Sequence, residues 1–143
     1  MASRRKGRIL AFQALYCWEA SRLPIEELTS FSWVDADKKT LDPAIADFSR
    51  LLITGTIENI KAVDSMIRQH LLNWDIKRIG RVDLAILRIS VYTLMFQGDI
   101  PHSIVIDEAI GLAKEFGTDD SFKFINGVLD SIRKTVQKTV VSS

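Results

Sequence analysis

Two clusters in the sequence carry side chains able to do chemistry. The first is Arg4, Arg5, Lys6 and Arg8, four cations with no acidic residue before Glu19. At this density guanidinium and ammonium groups neutralise phosphates, and release of condensed counterions drives the association. Arg5, Arg8, Ile9, Phe12 and Tyr16 follow one another at three- and four-residue steps. On a helix they share one side, basic at its N-terminal end and aromatic toward the other. Exposed rings stack on unpaired bases, so a cationic stripe running into an aromatic one favours single-stranded nucleic acid over a regular duplex. The same stripe is equally open to burial by neighbouring helices. Tyr16, whose hydroxyl needs a partner or water, is the position least suited to burial.

The second cluster is the stretch Phe116-Gly117-Thr118-Asp119-Asp120-Ser121-Phe122-Lys123-Phe124. It reads as a tight corner whose following helix offers free N–H groups to an anion or a base edge, with Lys123 adding charge and Phe116 or Phe124 a ring. Ordinary helix capping accounts equally well for Asp120 and Ser121.

Catalytic groups do not converge in this way. His70 and His102 lie in separate segments, and the sequence has no His-Glu-x-x-His, Glu-x-x-His, glycine-rich phosphate loop or Gly-x-Ser-x-Gly. Cys17, the single cysteine, lies in an apolar helical stretch and reads as a buried, inert thiol. Glu26-Glu27 and Asp119-Asp120 stand at helix starts, where capping explains them better than acid–base chemistry. The expectation is a chain with no catalytic residue, no metal and no cofactor.

The elements that must position the two clusters are helices, because apolar residues recur at helical rather than alternating spacing throughout. The fold class is all-α. A first helix is expected from Ser3 to Ala20, burying Leu10, Ala11, Ala14, Leu15 and Trp18. Pro24 opens a short second helix near Ile25 to Phe31, and Asp35 to Thr40 reads as the most mobile loop. Asp42 caps and Pro43 begins a third helix, whose apolar period runs through Ile45, Phe48, Leu52, Ile60, Val63 and Ile67 to about His70. A fourth runs from Ile76 to Phe96, and Gly98-Asp99-Ile100-Pro101 stops it. Ser103 is expected to cap the fifth and Gly117 to end it as a C′ glycine. The last helix runs to about Lys138, with Ile125, Val128, Leu129, Ile132 and Val136 facing inward. Within it Asn126-Gly127 is costly for a helix, and close packing against a neighbour is the expected reason.

At 143 residues, 47% hydrophobic and 26% charged, the chain is expected to form one domain over residues 1–143. Its net charge of +1 hides an asymmetry, since residues 1–18 carry four of the 19 basic side chains and none of the 18 acidic ones. A positive end on a slightly acidic body points to a polyanion bound at that end. One cysteine fits a reducing cytoplasm. No signal-peptide core follows the basic start, and Arg88 interrupts the longest apolar run, so no membrane association is expected.

Several motifs in order then resemble one family. Arg4-Arg5-Lys6-x-Arg8 leads to Gln13-Ala14-Leu15-Tyr16, then Ala85-Ile86-Leu87-Arg88-x-x-x-Tyr92-x-Leu94, Ile100-Pro101, Asp107-Glu108-Ala109, Ala113-Lys114-x-Phe116-Gly117 and Phe124-Ile125-Asn126-Gly127-Val128-Leu129-Asp130. Together they resemble the bacterial transcription antitermination factors of the NusB family over nearly the whole chain. The resemblance implies two small packed helical bundles without catalytic activity. It implies binding to the boxA element of ribosomal-operon leader RNA together with NusE, a ribosomal small-subunit protein, and entry of the pair into the RNA polymerase antitermination complex. Carried over residue by residue, Arg4, Arg5, Lys6 and Arg8 match the family's RNA-binding start. Phe116, Asp120, Ser121 and Lys123 match its second RNA-contacting corner, and Tyr16 and Asp83 fall at or near the RNA and NusE surface. Gly7 stands where relatives have a better helix former, so the basic segment is expected to fray. Thr93 stands where an acid is common.

Two other readings compete. One is the NusB-like RNA-binding domain of a ribosomal RNA cytosine methyltransferase, which requires a Rossmann-type catalytic domain after Ser143. The other is a structural homodimer whose contact is formed by exposed Phe12 and Tyr16.

Overall fold

The apolar periods of the sequence become helices whose apolar faces meet in one contiguous core. In the computed structural model, which describes residues 2–34, 42–72 and 75–142, α1 spans Ala2–Ser21, α2 Ile25–Ser30, α3 Pro43–Glu58 and α4 Ile60–Gln69. A 3₁₀ turn at Ile76–Arg78 precedes α5 at Arg81–Phe96, α6 at His102–Phe116 and α7 at Ser121–Ser142. There is no strand among the described residues. The expected loop from Asp35 to Thr40 lies outside them.

The helices form two small bundles. The first three pack together, α4 to α7 pack together, and the α1–α5 and α3–α5 contacts join the groups. Helix α5 is the axis, buried at every residue from Leu84 to Leu94 because α1, α3, α4, α6 and α7 all cover it. Each large aliphatic side chain buried there stabilises the fold by about 1.5–3 kcal/mol relative to exposure. Arg88 falls inside this run, and it is tolerated because its Nε and Nη2 donate to both carboxylate oxygens of Asp64 on α4, at 3.0 and 2.9 Å. Thr93 is also buried, and its hydroxyl donates to the Ile89 carbonyl at 2.9 Å, so an acid there would need a different partner.

Several boundaries differ from the sequence expectation. The third and fourth helices are separate, because the Asn59 side chain and its own N–H both donate to the Gly55 carbonyl and end α3 there. The apolar period continues across this break and conceals it. Asp42 caps α3 as expected, accepting from Ala44 N–H at 2.8 Å. Ser103 does not cap α6, which begins one residue earlier behind Pro101 with no side-chain cap. Gly117 ends α6 with φ −94°, outside the left-handed region of a C′ glycine. Its small size is needed for another reason, since a Cβ would fall 2.5 Å from Ser121 Oγ and 2.7 Å from the Ala113 carbonyl oxygen.

Two other glycines exchange their expected roles. Gly7 is buried beneath Phe48, whose Cδ2 would lie 2.6 Å from an added Cβ, so it is a packing glycine within a formed helix. Gly127 meets nothing within 4 Å and lies on an exposed face, so close packing does not explain it. Cys17 is half-buried rather than fully enclosed, and burial still pushes its thiol above the ordinary range.

Candidate nucleic-acid interface

Helix α1 places its cations at different depths. Arg4 and Lys6 are exposed, Arg5 is partly covered, and Arg8 is 8% exposed. Phe48 of α3 organises two of them, its ring centre 5.2 Å from the Arg4 guanidinium carbon and 5.5 Å from that of Arg8. These are cation–π distances, and they hold the charges in place without neutralising them. Arg8 is held further by Glu108 of α6 at 3.7 Å. Burial pushes its guanidinium below its ordinary value, Glu108 opposing the shift and Arg4 adding to it.

Side chains bridge this start of α1 to the α6–α7 corner. Arg5 donates to Glu115, and the Phe12 and Phe116 rings stand 5.0 Å apart, tilted by 47°. The two clusters that the sequence separates by more than a hundred positions are therefore neighbours. At the corner Asp120 and Lys123 are exposed, whereas Ser121 is 2% exposed and accepts from Thr118 N–H at 2.9 Å. Ser121 shapes the turn from within, as Arg8 supports the helix surface from beneath. Phe116 is half-buried on Phe12.

Phe12 is 4% exposed, so the aromatic half of the stripe is core at this position, and a homodimer contact through it is ruled out in this fold. Tyr16, one helical turn further on, is 39% exposed. Asp83 is half-buried in the first turn of α5, the helix against which α1 packs.

Sequence reading missed two residues of this surface. Phe48 read only as part of the apolar period of its helix, since only tertiary packing brings α3 beside α1. Lys114 could have been found from its motif with Phe116: its Nζ lies 5.2 Å from the Phe122 ring centre and that of Lys123 lies 5.9 Å away, so two cations flank one ring. The surface joins unpaired positive charge, partly exposed rings and an exposed carboxylate. Those groups can neutralise phosphates, stack on bases and accept from a base amino group. No cluster of metal-ligating side chains occurs among the described residues, and no helix there is long and apolar enough to cross a membrane.

Known proteins share this sequence and fold. The family model described as the NusB family matches residues 5–134. The transcription antitermination protein NusB of Treponema denticola is 54% identical over 130 residues, covering 91% of this chain and 95% of that protein. That of Treponema pallidum is 49% identical over 134 residues, covering 92% and 93%. Among solved structures, T. maritima NusB superposes with a TM-score of 0.83 at 38% identity, covering 92% of this chain and 90% of that one. A structure of antitermination factors NusB and NusE in complex with dsRNA gives a TM-score of 0.84 at 30% identity, covering 94% and 98%. On sequence and on fold alike, the chain belongs to the NusB family.

Proposed function

We propose that this chain is a transcription antitermination factor that binds boxA-type leader RNA of ribosomal operons jointly with NusE and carries no catalytic activity. The pair joins the elongating RNA polymerase antitermination complex in the cytoplasm. The observation that carries this reading is the junction of the α1 cations with the α6–α7 corner through Arg5–Glu115 and Phe12–Phe116. The match to a solved complex of NusB and NusE with dsRNA supports joint engagement of RNA and NusE from outside the chain.

Roles follow from exposure and chemistry. Arg4, Lys6 and Lys123 neutralise phosphates, Arg5 does so from its pair with Glu115, and Phe116 offers a ring edge. Asp120 accepts from an exposed base. Arg8 and Ser121, both buried, hold the track in shape. Tyr16 and Asp83 form the NusE side.

An electrophoretic shift with boxA RNA as a single strand, as a duplex and as a scrambled strand, with and without NusE, tests the reading. The expected result is retention of the boxA single strand above the scrambled one, strengthened by NusE. Equal binding of boxA and scrambled strands under both conditions would overturn it. Tyr16→Asp should leave the helical circular dichroism unchanged while weakening joint assembly with NusE, because the exposed ring is not core. Collapse of the helical signal would remove Tyr16 from the partner surface. Lys123→Glu should weaken boxA binding several-fold, and unchanged binding would remove the corner.

A further inference from the structure

The far end of α1 closes a second charged feature, about 20 Å along the helix from the cationic start at about 1.5 Å per residue. Glu19 of α1, Asp64 and Arg68 of α4, Lys77 of the 3₁₀ turn, and Arg81 and Arg88 of α5 line a half-open cleft of about 510 Å³. That volume lies in the range of small-molecule sites. Ile79 and Leu84 add apolar wall.

The charges in this cleft divide into paired and unpaired groups. Glu19 accepts from Arg22 at 3.1 Å, and Asp64 accepts twice from Arg88. Arg68, Lys77 and Arg81 are exposed, and no ion pair forms to any of them among the described residues. Arg88 is 5% exposed, and its Nη1 is buried 3.5 Å from Glu19 without a hydrogen bond. A guanidinium whose other two donor positions are fixed by a bidentate carboxylate cannot turn to satisfy that nitrogen. Nη1 is closed off from solvent with the Glu19 carboxylate as its neighbour, so Arg88 adds positive charge beneath the cleft and no free donor.

We propose that this cleft binds a compact, multiply charged phosphate group held by Arg68, Lys77 and Arg81 at its rim, above the buried Arg88. Three unpaired cations around one opening suit a ligand with several anionic oxygens better than a single carboxylate, and guanidinium forks match phosphate geometry. A free nucleotide and the 5′-phosphate end of an RNA strand share this chemistry. The site does not depend on the RNA reading above, because none of its residues belongs to the α1 start or the α6–α7 corner.

The test is isothermal titration of the intact chain with inorganic pyrophosphate in a phosphate-free buffer. One saturable site is expected. The Arg68→Gln, Lys77→Gln, Arg81→Gln variant, whose substitutions are all at exposed positions, should bind at least tenfold more weakly with unchanged circular dichroism. Arg4→Gln, Lys6→Gln should bind pyrophosphate as the parent does, although its boxA affinity falls. Parallel titrations with ADP and with 5′-phosphorylated and unphosphorylated short RNA assign the source of the phosphate. Absence of saturation would overturn the proposal, as would equal weakening by both variants, the signature of diffuse charge attraction. Displacement of pyrophosphate by lower concentrations of an oligoglutamate peptide would also overturn it and make the cleft a protein contact.

Discussion

The two ends of α1 hold arginines with the same two supports, rings and carboxylates, in different balance. At the C-terminal end, Arg88 is locked against Asp64 by two hydrogen bonds and Glu19 lies between Arg22 and Arg88, so carboxylates fix these two arginines over the Trp18 ring. At the N-terminal end, Arg4 and Arg8 rest on a phenylalanine ring and Lys6 is exposed. A ring holds a guanidinium in place and leaves its charge available, whereas a bidentate carboxylate neutralises it. Availability of charge is therefore set by what lies beneath each cation, and a count of basic residues does not reveal it. Arg8 is intermediate: it is buried and ring-supported, with its carboxylate partner at 3.7 Å.

Substitutions that strip these supports break the comparison in graded steps. Arg88→Ala should cost the most, about 3–5 kcal/mol, because it leaves Asp64 as an uncompensated buried charge. Urea unfolding measures it, and a loss below about 1 kcal/mol would mean that Asp64 finds solvent. Arg8→Gln should cost less, about 1–2 kcal/mol, since Glu108 is half-exposed and its pairing distance is longer. Loss equal to that of Arg88→Ala would erase the distinction between the two ends. Arg4→Gln with Lys6→Gln should change stability by less than about 0.5 kcal/mol. The same pair should lower RNA affinity and reduce the log–log salt slope by roughly 1.4, about 0.7 for each single-strand phosphate contact removed. A stability cost without a slope change would assign the N-terminal cations to structure.

Much of the fold was legible because local signals agree with one another. The Asp42-Pro43 start, the stop after Phe96 and the burial of Ile125, Val128, Leu129 and Ile132 in the last helix appear where helical spacing and capping chemistry put them, while Val136 is only partly buried. The break at Asn59 was not legible, because a side-chain bond to Gly55 ends α3 without disturbing the apolar period. Nor was the role of Gly55, where a Cβ would fall 2.2 Å from the Tyr92 hydroxyl and so set how closely α3 approaches α5. Gly7 and Gly127 show the limit most plainly. Propensity penalises both alike, yet one lies under a ring and the other faces solvent.

In the candidate site, the cations and the corner were legible in residue type and spacing, and so was the resemblance from which their proposed role comes. Their adjacency was not, since it depends on contacts between Arg5 and Glu115 and between Phe12 and Phe116, more than a hundred residues apart in the chain. The sequence by itself determined the helices, their apolar faces and the uneven charge, because these follow from periods of three or four residues and from composition. Tertiary structure alone decided which arginines are neutralised, which ring supports them and which glycine is indispensable. Each of those outcomes depends on a neighbour that folding delivers from a distant part of the chain.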